Sequence, residues 1–598
     1  MSESSESSES SDVSRRYDLV IRNGRLYDGS GAPPFDGDLA IAGDRIVAVG
    51  EIDEARIDAD ATRQIDATGQ IVTPGFVDAH THYDGQVTWD PFVTPSSWHG
   101  VTTIVTGNCG VGFAPCRPEQ RDWLIGLMEG VEDIPGTALH EGIRWRWESF
   151  PEYLDALETT PLAIDVGTQI PHGAVRAYVM GARGPAHEVA TPDEIAEMRR
   201  VVREALEAGA LGFSTSRTEK HKDSKGVVTP SIRAHEDELV GIAEALRESG
   251  RGVLQGISDF YDFEAEFAMF RRMAEVSGRP ASITVEQQDA RPDWWRQLLE
   301  AVSKAQAEGL EIRGQVPPRA TGVLLGLTAT LNPFSLHPSF GATALDPETG
   351  AWRSLGERVA VLQDPAVRAR ILAETPRSAG ALVDEILAGF HKMFRLGDPA
   401  DYEPAPEDSV AGIAEREGRT PEEVAYDLML EKDGQALIYH PLFNYLPGNL
   451  DYVAEMLDHP HTVFGLSDGG AHCGVLCDAS FPTTLIQHWG RDRKRGRRFP
   501  LERLVSMQTK ETAELVGLYD RGQLRPGYKA DVNVIDFERL ALHEPTVVYD
   551  LPAGGRRLVQ RATGYTATIV SGRVAFEEGV PTGVLGGRLV RGSQPAPA

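Results

Sequence analysis

Residues 71–82 read Ile-Val-Thr-Pro-Gly-Phe-Val-Asp-Ala-His-Thr-His, an apolar run punctuated at Pro74-Gly75 and ending in His80 and His82. Residues two apart on an extended strand project to the same side, so both imidazoles can face one ion. Neutral imidazole is a good ligand for zinc and similar metals. A His-X-His pair alone is weak evidence, since chance or ordinary polar packing produces it often. Its place at the C-terminal end of a strand, where barrel enzymes gather their reactive groups, raises it above that.

Working outward, the same grammar recurs. VTTIVTGNCG, AIDVGTQI, GALGFSTS, GVLQGIS, ASITVEQ, EIRGQV and TVFGLSDGG are short apolar runs that end in small or polar residues. Amphipathic stretches such as PDEIAEMRRVVREALEAG and RPDWWRQLLEAVSKAQAEG lie between many of them. About eight strand-helix units result, the number a (β/α)8 barrel needs, although the alternation also fits a doubly wound sheet.

The ends are different. YDLVIRNGRLYDGSG and GDLAIAGDRIVAVG near the start, and KADVNVIDF, TVVYDL and YTATIVSGRVAFEEG near the finish, are short strands joined by Gly-containing turns. The expected chain is therefore α/β: a (β/α)8 TIM barrel over 71–515 with a small β-sandwich domain assembled from both termini, 17–70 and 516–598. A mainly helical insertion is expected at about 341–435, and a disordered acidic tail over 1–16. The insertion is either a cover for the barrel mouth or padding.

Composition narrows the function. The 598 residues are 41% hydrophobic and 25% charged, a globular balance large enough for more than one domain. A formal net charge of −30 repels polyanions and argues against a nucleic-acid partner, with the basic run Arg491 to Arg498 read as a solvated segment. No apolar run is long enough to cross a bilayer, and no apolar leader opens the chain, so no membrane partner is expected. Four cysteines in such a length make no disulfide framework and fit reduced thiols in a cytoplasmic protein. Nothing in the sequence sets the oligomeric state.

The second chemical signal is Gly465-Leu466-Ser467-Asp468-Gly469-Gly470 after Val463-Phe464. An aspartate at a late strand's end can bind a metal and accept a proton from water, whereas Asp-Gly more commonly marks a turn. The opening HTH strand, the late SDG and GQLRPGYKADVNVID together resemble the amidohydrolase superfamily. GVTTIVTGNCGVGFAP and VSGRVAFEEGVPTGVLGGRLVRG are similar to its D-aminoacylase, or N-acyl-D-amino-acid deacylase, branch, from about Tyr17 onward.

That resemblance implies metal-dependent hydrolysis of a small-molecule amide, with zinc at the barrel mouth. It makes His80, His82, Cys109 and Asp468 metal ligands, and Asp468 also the general base and acid. His172 in Pro-His-Gly resembles a family His-Gly motif and is read either as contacting substrate or an oxyanion or as a satisfied structural histidine. Arg217, read from its own chemistry, either forks onto a substrate carboxylate or closes a salt bridge at the barrel rim. His472, four residues after Asp468, stands beside the chemistry.

The family's histidine ligands on the fifth and sixth strands are absent: GVLQGISDF and ASITVEQQ offer only Gln255 and Glu286. Three readings follow: one zinc held by His80, His82 and Asp468; a remodelled site recruiting Glu286, Lys220 or His221; or a barrel that has lost catalysis and only binds. The single-metal hydrolase is preferred, with a cyclic amide, a D-residue dipeptide or a lactone as competing substrates.

Overall fold

The computed structural model describes residues 16–58 and 61–597. The acidic tail expected over 1–16 lies, apart from Arg16, outside the described residues.

The two ends of the chain meet in one sheet. Leu19–Leu26, Phe35–Ala42, Arg45–Gly50 and Arg63–Asp66 come from the start, and Val532–Ile535, Tyr565–Val570, Arg573–Glu577 and Val580–Pro581 from the finish. Ile71–Pro74 joins them, pairing parallel with the first strand and antiparallel with Val532–Ile535. Among the described residues, hydrogen bonding links nine strands into one continuous sheet. Ile71–Pro74, expected to open the barrel, belongs to this sheet, and the barrel strand is the short Phe76–Asp78 beyond Pro74-Gly75. Proline lacks the N–H that would continue the ladder, which is why the run divides there.

The middle of the chain supplies parallel strands in two arcs. Phe76–Asp78, Val101–Thr106 and Asp165–Thr168 form the first. Ile170–Pro171, Gly212–Arg217, Val253–Ser258, Ala281–Thr284, Ile312–Val316 and Thr462–Phe464 form the second. The expected closed ring is thus interrupted, once at Gln169 inside the third strand and once between the first and last. Both gaps carry main-chain bonds: Leu211 N–H donates to the Thr168 carbonyl at 2.8 Å, and Thr81 bridges to Gly469.

The covering helices follow from their sequences. Pro192–Ala208 opens with a Thr191–Glu194 capping box and a first-turn proline, and closes at Gly209. Its buried residues Met198, Val201, Val202, Ala205 and Leu206 repeat at three and four, one apolar stripe facing the strands.

The insertion is larger than expected. Between Val316 and Asp451 the helices Leu355–Leu362, Pro365–Leu372, Ala381–Ala388, Val410–Glu417 and Pro421–Gly434 accompany an antiparallel sheet of Gly322–Leu325, Ile438–Pro441 and Phe394–Arg395. Most of it packs around a hydrophobic core of its own, centred on Phe334, Leu362, Tyr426 and Met429.

Glu403 ties this insertion to the barrel. Its carboxylate accepts from Arg493 at 3.0 and 3.1 Å, from His488 at 3.1 Å and from the Leu450 N–H at 2.8 Å. Burial alone would raise this carboxyl, but the His488 and Arg493 hydrogen bonds overcome it and pull it down to about 2. A depressed acid stabilises the fold above its unfolded pKa and loses that contribution as pH falls through the folded value. Glu403→Gln is therefore expected to lower stability by on the order of 3 kcal/mol at pH 7, with the difference shrinking between pH 4 and pH 2. Urea unfolding at pH 7 and pH 3 checks this; an equal deficit at both would show that charge is not the cause.

Candidate metal centre

The seam between the first and last strands is where the two chemical motifs meet. His82 N–H donates to the Gly469 carbonyl at 2.8 Å, and Asp468 N–H to the His80 carbonyl at 3.2 Å. Main-chain pairing therefore holds HTH against SDG. His80 Nε2 lies 3.4 Å, and His82 Nε2 3.6 Å, from Asp468 Oδ1.

Cys109 enters from the second strand. Gly107 turns the chain at φ 73°, and a Cβ there would stand 2.1 Å from the Gln169 carbonyl, so no other residue fits. Cys109 Sγ then lies 3.2 Å from His80 Nε2, and ligand atoms of His80, His82 and Cys109 all fall within 4.8 Å of one another. Cys109, Leu466, Asp468 and His472 all have positive φ, between 47° and 61°. Such a conformation is costly for a side-chain-bearing residue and clusters at functional sites.

His80, His82 and Cys109 are buried, and Asp468 keeps about a fifth of its side chain open, 22%. Burial pushes the His80 imidazole down to about 4, so it is neutral at physiological pH, the form that ligates. Burial pushes the Cys109 thiol up to about 11. For Asp468 burial works upward, but the His82 hydrogen bond and the nearby His80 hold the carboxyl well below its ordinary range. His82 is held high in spite of burial because Glu132 and Asp468 face it. Two imidazoles, a thiol and a carboxylate converging in a buried pocket, with Glu132 adding negative charge, suit a divalent ion of zinc's type.

The constellation opens into a cavity of about 260 Å³. Its barrel side carries Ile257, Thr284, Glu286, Lys220, His221 and His472; the insertion contributes Thr321, Val323, Leu382, Leu442 and Phe443. Lys220 is the one lysine or arginine among the described residues lining it. Its ammonium stands 3.7 Å from Asp259 and over the Phe443 ring at 4.6 Å, with 30% of the side chain exposed.

Several candidates from the sequence are elsewhere or differently engaged. His172 does not reach the cavity: it is fully buried, its Nδ1 meets Thr215 Oγ1 at 2.9 Å and its Nε2 meets Glu238 at 2.8 Å. With both ring nitrogens taken, it has no edge to offer a substrate. Arg217 is also off the cavity, its fork closed on Glu266 at 2.7 and 2.8 Å. Glu286 and His221 line the cavity but stand outside the His80, His82 and Cys109 group. Glu286 accepts from Thr321 and is raised by burial, against the pull of Lys220; His221 Nδ1 meets Ser216 Oγ at 2.9 Å.

In place of the fifth-strand histidine, Gln255 accepts the Cys109 N–H at 2.9 Å, orienting the cysteine's backbone. Sequence reading also missed Gln315, whose Oε1 lies 2.7 Å from His80 Nδ1, and Glu132, whose Oε1 lies 3.3 Å from His82 Nδ1.

Comparison with known proteins places the chain in a family. A model of the amidohydrolase family matches residues 63–576. An uncharacterised protein of Mycobacterium tuberculosis is 29% identical, the match covering 97% of this chain and 96% of that one. A D-aminoacylase of Alcaligenes xylosoxydans xylosoxydans is 27% identical over 96% of this chain and 98% of its own. A D-aminoacylase crystal structure superposes with a TM-score of 0.63 at 25% identity, covering 97% of this chain and 100% of that chain.

Proposed function

Because the chain belongs to the amidohydrolase family, and its family and deacylase relatives support a metal-dependent hydrolase of C–N bonds, we propose that it removes the acyl group from N-acyl-D-amino acids. The observation that carries this is the convergence of His80, His82, Cys109 and Asp468 on one cavity that also holds a single ammonium and apolar walls. The D-aminoacylase relative supports the substrate class. We read the two strand arcs as a (β/α)8 barrel opened at two seams, and the four free, buried cysteines support a reduced, cytoplasmic setting.

His80, His82, Asp468 and Cys109 would hold one zinc ion. When bound, such an ion acidifies water and polarises an amide carbonyl. Asp468 takes the attacking water's proton on a carboxylate oxygen and returns it to the departing nitrogen, since an amine leaves poorly unless protonated. Lys220 pairs with the substrate carboxylate, the task its sequence neighbour Arg217 cannot perform while it is forked onto Glu266. Val323, Leu442 and Phe443 pack against the acyl or side-chain part of the substrate.

Matched D- and L-N-acetyl amino acids, a hydantoin and a lactone form the test panel. Hydrolysis confined to the D-amides is expected; turnover of the cyclic amide or lactone alone would move the substrate class. Within that panel, Lys220→Met raises KM about tenfold with kcat little changed, the signature of lost uniform binding. An unchanged KM would remove Lys220 from the substrate's path.

A further inference from the structure

The two histidines of the HTH strand are held by unlike partners. His80 Nδ1 faces the neutral amide oxygen of Gln315 at 2.7 Å, and Gln315 Nε2 in turn donates to Ser282 Oγ at 2.9 Å. His82 Nδ1 faces Glu132 Oε1 at 3.3 Å, an ion-pair distance, and among the described residues it has no hydrogen-bond partner. Glu132 is the last residue of the helix Arg121–Glu132, far from every motif, yet its carboxylate is almost entirely buried. A buried carboxylate is costly unless a partner compensates it.

The same residue grips the other side of the seam. Its second carboxylate oxygen lies 3.7 Å from His472 Nε2, and its main-chain carbonyl accepts the His472 N–H. The next residue, Asp133, accepts the Gly474 N–H at 3.1 Å and the Thr330 hydroxyl at 3.2 Å. The loop carrying Asp468 is thereby fastened to the end of this helix.

We infer that Glu132 is a positioning residue: it orients His82 for metal binding through one carboxylate oxygen and fixes the Asp468 loop through His472. A carboxylate behind a ligating imidazole sets the ring's tautomer and direction and strengthens the nitrogen that ligates. The inference rests on the metal-site reading above, and its test separates the two.

Zinc affinity is measured by chelator competition on wild type, Glu132→Gln and His472→Gln, with the absorption spectrum of the cobalt(II)-loaded proteins. Glu132→Gln is expected to bind zinc about 10–100-fold more weakly and to shift the cobalt bands, with its thermal midpoint near that of wild type. His472→Gln is expected to keep the affinity and lose kcat. Wild-type affinity and an unshifted spectrum in Glu132→Gln would overturn the inference alone; a wild type that binds no metal would overturn the site reading and this inference with it. Should Glu132→Gln fail to fold, Glu132→Asp keeps the charge but withdraws the oxygen from His82: weaker zinc binding supports the inference, equal binding overturns it.

Discussion

Asp468→Asn lowers kcat for amide hydrolysis by about 10³-fold while leaving the protein folded and, in excess zinc, loaded. The substitution keeps the side chain's shape and the main-chain bond to the His80 carbonyl, and removes the capacity to take a proton. Because Asp468 Oδ1 stands within 3.4 and 3.6 Å of both histidines, loss of its charge is also expected to loosen the metal, so elemental analysis must accompany the kinetics. Retention of more than about a tenth of wild-type kcat would show that another group serves as base, with Glu286, which lines the cavity along with Glu132, the first to examine.

The second large effect belongs to His80→Ala/His82→Ala. Wild type is expected to carry about one equivalent of zinc, and the double variant essentially none, with hydrolysis lost in parallel. Removing two buried imidazoles also vacates volume beside Gln315 and Glu132, so circular dichroism and the thermal midpoint are recorded on the same samples. Metal retained without the histidines would assign the ion to other donors. A metal-free wild type that stays inert when zinc is added would leave a barrel used for binding.

The parts of this site that were legible in the sequence are those in which chemistry and local structure coincide. His80 and His82 sit on one short extended segment, and Asp468 sits where glycines follow a strand end, so each motif carries its own geometry. Glu132 and Gln315 carry no such signal: a glutamate closing an amphipathic helix is ordinarily a solvated residue, and only the fold brings it beneath His82. His172 and Arg217 show the converse error. Their neighbours looked suggestive, but Glu238 and Glu266, which occupy them, come from later helices that the motif does not reveal. The strand alternation foretold the layered middle of the chain. It did not reveal the break at Gln169 or the transfer of Ile71–Pro74 to the terminal sheet, because register depends on partners distant in sequence.

The insertion's separate core bears on how this enzyme can change over evolutionary time. The proposed metal ligands stand on or beside strands anchored in the main core, while Val323 and its neighbours reach the same cavity from a body organised around Phe334 and Met429. Substitutions that reshape the roof draw on the stability of that second body and leave the reacting groups' scaffold undisturbed. Descendants can thus diverge in diet while inheriting one chemistry, and a laboratory library confined to Val323, Leu382, Leu442 and Phe443 would explore the same freedom.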